Sequence, residues 1–251
     1  MKIAFIGDSF CADITKGGWP LIVAETFNAD IIAKGIGGRH CFHSYEILLE
    51  VIDEADYIIF CITEPYRVPN KHGMHITPHN YSINVEELEH LERNLEAFHQ
   101  LYYNDFISWK WHEISQKGLL MQIDELMLQK KKKCIWLPSF DVSMQEFIPK
   151  SGPITDVSLL LLSDNELSHL TDKQYYKMLV YDPRHNHFNK KNNQNMANLI
   201  IDVIKWPDSF ISQRTIKIAD YFNGRGGNMT PRFHDRDVSI IKDITYKYKL
   251  F

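Results

Sequence analysis

The sequence predicts an α/β protein in three layers, α/β/α, built on a mainly parallel sheet, and three observations carry that prediction. Short, wholly apolar blocks such as Tyr57-Ile-Ile-Phe-Cys-Ile-Thr63 suit strands buried on both faces. Longer stretches with apolar residues at helical spacing alternate with these blocks, as in a sheet covered by helices. The blocks end in Gly, Asp, Ser or Pro, the residues that turn a chain.

Taken in order, residues 3–6 form the first strand, closed by Gly7-Asp8-Ser9. Trp19–Phe27 reads as a helix and residues 30–36 as a second strand, ended by Gly35, Gly37 and Gly38, whose missing Cβ permits a tight turn. Ser44 is the expected N-cap of a helix running to Ala55, with Ile47, Leu48, Val51 and Ile52 on one face. Residues 57–63 form the third strand and residues 65–81 a polar loop. Residues 85–129 read as two helices, the first with Leu88, Leu91, Leu95 and Phe98 toward the core. A lysine run reads as a solvated helix end before a strand over residues 133–137. Residues 178–181 are the expected last strand, and residues 192–204 a closing helix with Met196, Leu199, Ile200 and Val203 inward. Beyond Trp206-Pro207 the pattern weakens, and Asn223-Gly-Arg-Gly-Gly-Asn228 reads as a flexible loop.

The chain has 251 residues, 44% hydrophobic and 24% charged, so it can bury a large core. At about 150 residues per domain this length suits one large domain with an appendage, here residues 1–206 followed by an extension of unassigned role over 207–251. With 28 Lys and Arg against 32 Asp and Glu the net charge is −4, which excludes a broadly basic nucleic-acid binder. Apolar runs such as Ser158-Leu-Leu-Leu-Leu-Ser163 are far shorter than the roughly 18 residues a membrane span needs. The N-terminus lacks a signal-peptide pattern, and the four cysteines include no CxxC pair and suit buried thiols. A cytoplasmic protein without membrane or nucleic-acid partners is therefore expected.

Ser9 lies where open α/β sheets place ligands, beyond the C-terminal end of the first strand. Asp8-Ser9 equally fits a plain turn and helix cap. A second polar cluster, Asp182-Pro-Arg184-His185-Asn-His187-Phe-Asn189, follows the expected last strand, on the same sheet edge. A serine hydroxyl becomes a nucleophile when an imidazole takes its proton and a carboxylate orients that imidazole, and these two segments hold all three groups.

Here the chain resembles the SGNH (GDSL-type) hydrolases, in matching block order over about residues 1–205. Gly7-Asp8-Ser9-Phe10 is similar to the family's first block and Gly35-Ile-Gly-Gly38 to its second. In the third block the family's Gly-x-Asn-Asp is replaced by Cys61-Ile-Thr63-Glu64, so Thr63 stands where the family has an oxyanion-binding asparagine. In the last block, the family's Asp-x-x-His spacing would pair Asp182 with His185. The run His187-Phe-Asn189 with Ala197 further on matches the family's register after the base and favours His187.

The resemblance implies a flavodoxin-like SGNH fold and a serine esterase acting on a small-molecule or polysaccharide ester, with carbohydrate O-acetyl groups as the leading substrate class. Its catalytic set would be Ser9, His187 and Asp182, with an oxyanion hole from Ser9, Gly38 and Thr63. Glu64, Arg67, Arg184 and His185 are candidate substrate contacts, and Arg67 equally fits an internal salt bridge. No cofactor or metal is expected, although His40 and His43 around Cys41 and the i, i+4 pair Glu86 and His90 are residue types that bind zinc or iron; the loop histidines His72, His75 and His79 follow no recognised ligand spacing. Tyr102, Tyr103, Phe106, Trp109 and Trp111 read as helix packing ahead of a sugar platform. The alternative is an SGNH-fold protein that has lost catalysis and binds a glycan or protein, for instance in a virion-associated or cell-surface polysaccharide system. The oligomeric state is not legible.

Overall fold

The computed structural model describes residues 1–12, 14, 17–69, 75–76, 81–82, 92–140, 147–156, 158–159, 188, 190–207 and 215–218. Its centre is a six-stranded sheet. Strands β1 (Lys2–Ile6), β2 (Asp30–Ala33), β3 (Tyr57–Ile62), β6 (Lys133–Pro138), β7 (Ile154–Thr155) and β8 (Thr215–Ile216) lie in the order β2-β1-β3-β6-β7-β8, with every neighbouring pair parallel. The chain steps from β1 to β2 on one side, then back across to β3 on the other. The order of strands thus reverses at β1, and the C-terminal edge beside such a reversal is where open sheets form a crevice.

Both faces of the sheet are covered, which explains the unbroken apolar blocks. Ile3, Phe5, Ile59, Cys61, Ile135 and Leu137 pack on one side, with α1 (Trp19–Phe27) and α5 (Lys190–Lys205). Ala4, Ile6, Ile58, Phe60, Ile62 and Trp136 pack on the other, with α2 (Cys41–Val51) and α4 (Trp109–Gln129). Helix α1 ends on Asn28, in the left-handed conformation at φ 47. Helix α5 buries Met196, Leu199, Ile200 and Val203, the face its spacing predicts. All four cysteines are buried and free.

Several elements differ from expectation. Helix α2 starts before Ser44: its N-cap is His40, whose Nδ1 accepts from the Phe42 N–H at 2.9 Å. A neutral imidazole nitrogen thus fills the role usually taken by a hydroxyl or carboxylate, and Ser44 lies inside the helix, buried. That helix closes at Val51, and β2 closes at Ala33, ahead of the glycines. The loop predicted over 65–81 carries one antiparallel pair, β4 (His75–Ile76) with β5 (Tyr81–Ser82). Helix α3 (Glu92–Leu101) runs into a π-helical turn, Tyr102–Phe106, before Ser108 caps α4 by accepting from the Trp111 N–H. Leu95 is buried as expected, but Phe98 is 41% exposed and stacks on Tyr102 instead of entering the core; Leu88 and Leu91 lie outside the described residues.

The expected strand over 178–181 lies outside the described residues. Within 207–251, Thr215–Ile216 is the sixth strand, and Ile216 and Ile218 are buried against the α1/α5 side of the sheet. Among the described residues no helix is long and apolar enough to cross a membrane.

Candidate functional site

Four loops meet at the carboxyl edge of the central strands, those after β1, β2, β3 and β6. The first leaves β1 through Gly7, at φ +143, where an added Cβ would lie 2.4 Å from the Cys61 carbonyl oxygen of β3, so only glycine fits. Asp8 follows, fully buried, and caps the short 3-10 turn Ser9–Cys11 by accepting the Phe10 N–H at 3.0 Å. The capping role that the sequence allowed for Asp8-Ser9 therefore falls to Asp8. Ser9 is partly exposed, and its hydroxyl takes no part in that cap.

The second loop, which carries the glycines after β2, is laid against this turn. The Gly35 N–H donates to Cys11 O at 3.3 Å and the Ile36 N–H to Gly7 O at 3.0 Å. A Cβ on Gly35 would lie 2.3 Å from Asp8 O, so the contact between the loops depends on that glycine. A Cβ on Gly37 would lie 3.6 Å from the Ser9 Cβ, which makes Gly37 the loop residue beside the serine. Gly38, the oxyanion candidate by resemblance, is the next residue and is buried at φ 75.

The third loop leaves β3 at Thr63. Thr63 is 1% exposed, and its carbonyl accepts from Gln116 Nε2 of α4 at 2.8 Å. Arg67, also buried, ties the loops together. Its Nε donates to Glu64 Oε1 at 3.0 Å, one terminal nitrogen donates to Arg39 O at 3.2 Å, and the other lies 3.8 Å from Asp8 Oδ2. The guanidinium also sits 5.3 Å over the Phe140 ring. Of the two roles the sequence allowed Arg67, the structure displays the internal salt bridge, and Glu64 is its partner. Asp8 receives a further bond from the loop after β6, the Ser139 hydroxyl at 3.1 Å. One buried carboxylate and one buried guanidinium thus join the loops after β1, β2, β3 and β6.

His40 lies near Arg67, with His43 and His112 close by. Burial pushes the His40 pKa down to about 3, and the nearby His43, His112 and Arg67 add to the shift, so its ring is neutral and able to accept at the cap. His112 is also lowered by burial. Its ring sits between the Pro65 carbonyl, 3.1 Å from Nδ1, and the Tyr102 hydroxyl, 2.6 Å from Nε2. A neutral imidazole satisfies both, donating from Nδ1 and accepting at Nε2. Among the described residues no three His, Cys, Asp or Glu side chains converge as metal ligands.

Asp182, Arg184, His185 and His187 lie outside the described residues, as do His72, His79, Glu86 and His90. The residue after His187 is described: Phe188 packs on Phe10, the residue after Ser9, with ring centroids 5.8 Å apart. Phe188 O also accepts from Asn193 Nδ2 at 2.8 Å, while Asn193 Oδ1 takes the Trp19 N–H at 3.0 Å, tying the start of α5 to α1.

The chain matches no protein-family model, no curated protein and no solved structure. Its site is therefore read from its own residues. The sequence reading missed Asp8 and Ser139 as anchors, and Gly37 as the neighbour of Ser9. A signal existed for Ser139, a hydroxyl following Pro138 at the end of an apolar block. None existed for Arg39, which contributes only its backbone carbonyl.

Proposed function

We propose that this chain is a serine-dependent ester hydrolase of the SGNH type, with O-acetyl groups on a carbohydrate as its substrate class. The observation that carries this reading is the Phe10–Phe188 contact, because it ties the neighbour of Ser9 to the neighbour of His187. Partial exposure of Ser9 at the reversal of strand order supports it further. In this reading the Ser9 hydroxyl attacks the acyl carbon while His187 takes its proton and Asp182 orients the imidazole. The N–H groups of Ser9 and Gly38, with Thr63, hold the oxyanion. His187 then protonates the leaving alcohol, and water releases the acyl group.

The test is labelling by a fluorophosphonate, which reacts with an activated serine, alongside hydrolysis of p-nitrophenyl acetate. Wild-type protein is expected to label and to hydrolyse slowly, and Ser9→Ala to do neither. A Ser9→Ala variant as active as wild type refutes the reading. A second reading, a glycan- or protein-binding protein without catalysis, is favoured by Thr63: it replaces the family's asparagine and is 1% exposed. Wild-type protein that neither labels nor hydrolyses any ester decides for this second reading.

A further inference from the structure

The outer face of α4 is apolar along most of its length. Trp111, Ile114, Met121 and Leu128 are 62%, 60%, 58% and 38% exposed. They recur three and seven residues apart, the spacing of a seam between packed helices. The opposite face, with Leu120, Ile123 and Met127, is buried against the sheet, so the seam is not the core face of this helix. Gly118 lies within the seam, and a Cβ built on it would meet nothing within 4 Å. Beside it, Gln122 Nε2 donates to the Tyr45 hydroxyl of α2 at 3.1 Å, and α2 adds Phe42 and Leu49, 44% and 50% exposed. With an aromatic side chain presenting ~150–250 Å², these six residues leave on the order of 500 Å² of apolar surface in water. That is near the top of the range for the largest patch on a monomer, and patches of this size mark interaction sites.

We propose that this face joins two copies of the chain in a two-fold symmetric dimer, with α4 packed antiparallel against its counterpart. The seam is self-complementary, as a two-fold interface requires. An axis passing between Gly118 and Met121 sets each Met121 against the open notch at the other copy's Gly118, and each Trp111 against the other copy's Leu128. A parallel pairing would instead oppose the two Gly118 positions and leave a void. The same register sets Glu125, the one charged seam residue, against the other copy's Ile114, where Gln129 Nε2 holds its carboxylate at 3.3 Å and the other copy's Lys117 lies within about one helical turn. The area also suits a second copy. About 500 Å² of apolar surface, at the ~65% apolar share usual for homodimers, corresponds to roughly 800 Å² buried per copy, the size of a standard stable interface.

Sedimentation velocity tests this on the full chain at about 50 µM, above the micromolar dissociation constants of weak interfaces of this size. The wild-type chain is expected at twice its 29.5 kDa mass. Met121→Arg, which puts a charge into the notch, and Gly118→Leu, which fills it, are each expected at the monomer mass with unchanged far-UV circular dichroism. Both positions are on the solvent side of the helix, so the fold does not depend on them. A wild-type monomer at this concentration overturns the proposal, and so does a dimer that survives both substitutions. Neither outcome depends on whether Ser9 is a nucleophile.

Discussion

Replacing Arg67 by methionine removes the buried cation that joins the loops around Ser9 while keeping much of the side chain's bulk. The loss can be worked from its contacts. The bond to Glu64 at 3.0 Å is charge-assisted, and bonds of that kind contribute about 1.5–3 kcal/mol. The stack over Phe140 contributes about 1 kcal/mol more. Asp8, fully buried, would also lose its cationic partner while retaining the Phe10 N–H and the Ser139 hydroxyl. Breaking a buried ion pair from one side costs about 3–5 kcal/mol in all. For a chain of this length that corresponds to a fall in Tm of roughly 6–20 °C. The assay is thermal unfolding, backed by urea denaturation of Arg67→Met, Asp8→Asn and the double variant. The double variant should lose less than the sum of the two single losses, because Arg67→Met alone leaves the buried Asp8 carboxylate without its cation, whereas in the double variant that charge is gone. Arg67→Met with stability within about 1 kcal/mol of wild type, or strict additivity in the double variant, would refute the claim that Arg67 and Asp8 hold the loops together.

Gly35→Ala places a methyl 2.3 Å from the Asp8 carbonyl oxygen and is expected to cost about 1–3 kcal/mol, whereas Gly37→Ala, at 3.6 Å from the Ser9 Cβ, should leave stability nearly unchanged. On the hydrolase reading, Gly37→Ala nonetheless slows fluorophosphonate labelling, because its methyl crowds the serine; labelling as fast as wild type counts against that placement. Acid sensitivity should trace to His40, whose pKa falls from an ordinary ~6.5 when unfolded to about 3 when folded. Because the unfolded chain then binds the extra proton, stability is whole above about pH 6.5 and declines toward pH 3 by about 2–4 kcal/mol, allowing for partial solvent contact of the ring. His40→Asn keeps an N-cap acceptor and should flatten this decline in urea midpoints measured from pH 7 to 4; an unchanged slope would show that other groups carry it.

The sequence by itself determined the layered architecture. Strands β1, β3 and β6, helix α1 and the inward face of α5 follow from apolar blocks and helical spacing, signals that lie within a few consecutive residues. It also determined that Ser9 ends the first strand, because a Gly-Asp-Ser turn closing an apolar block is a local feature. Tertiary structure decided what joins distant segments. Ser139 reaches Asp8 across 131 residues, and Arg67 reaches Asp8, Glu64 and the backbone of Arg39 at once. No spacing encodes such meetings, since they depend on which strands lie side by side. The same holds for β7 and β8, whose two residues each are too few for a period and become strands only by pairing at the sheet edge. His40 rather than Ser44 caps α2 for a related reason: burial beside Arg67 and His112 keeps the imidazole neutral, and a neutral ring has a lone pair to offer.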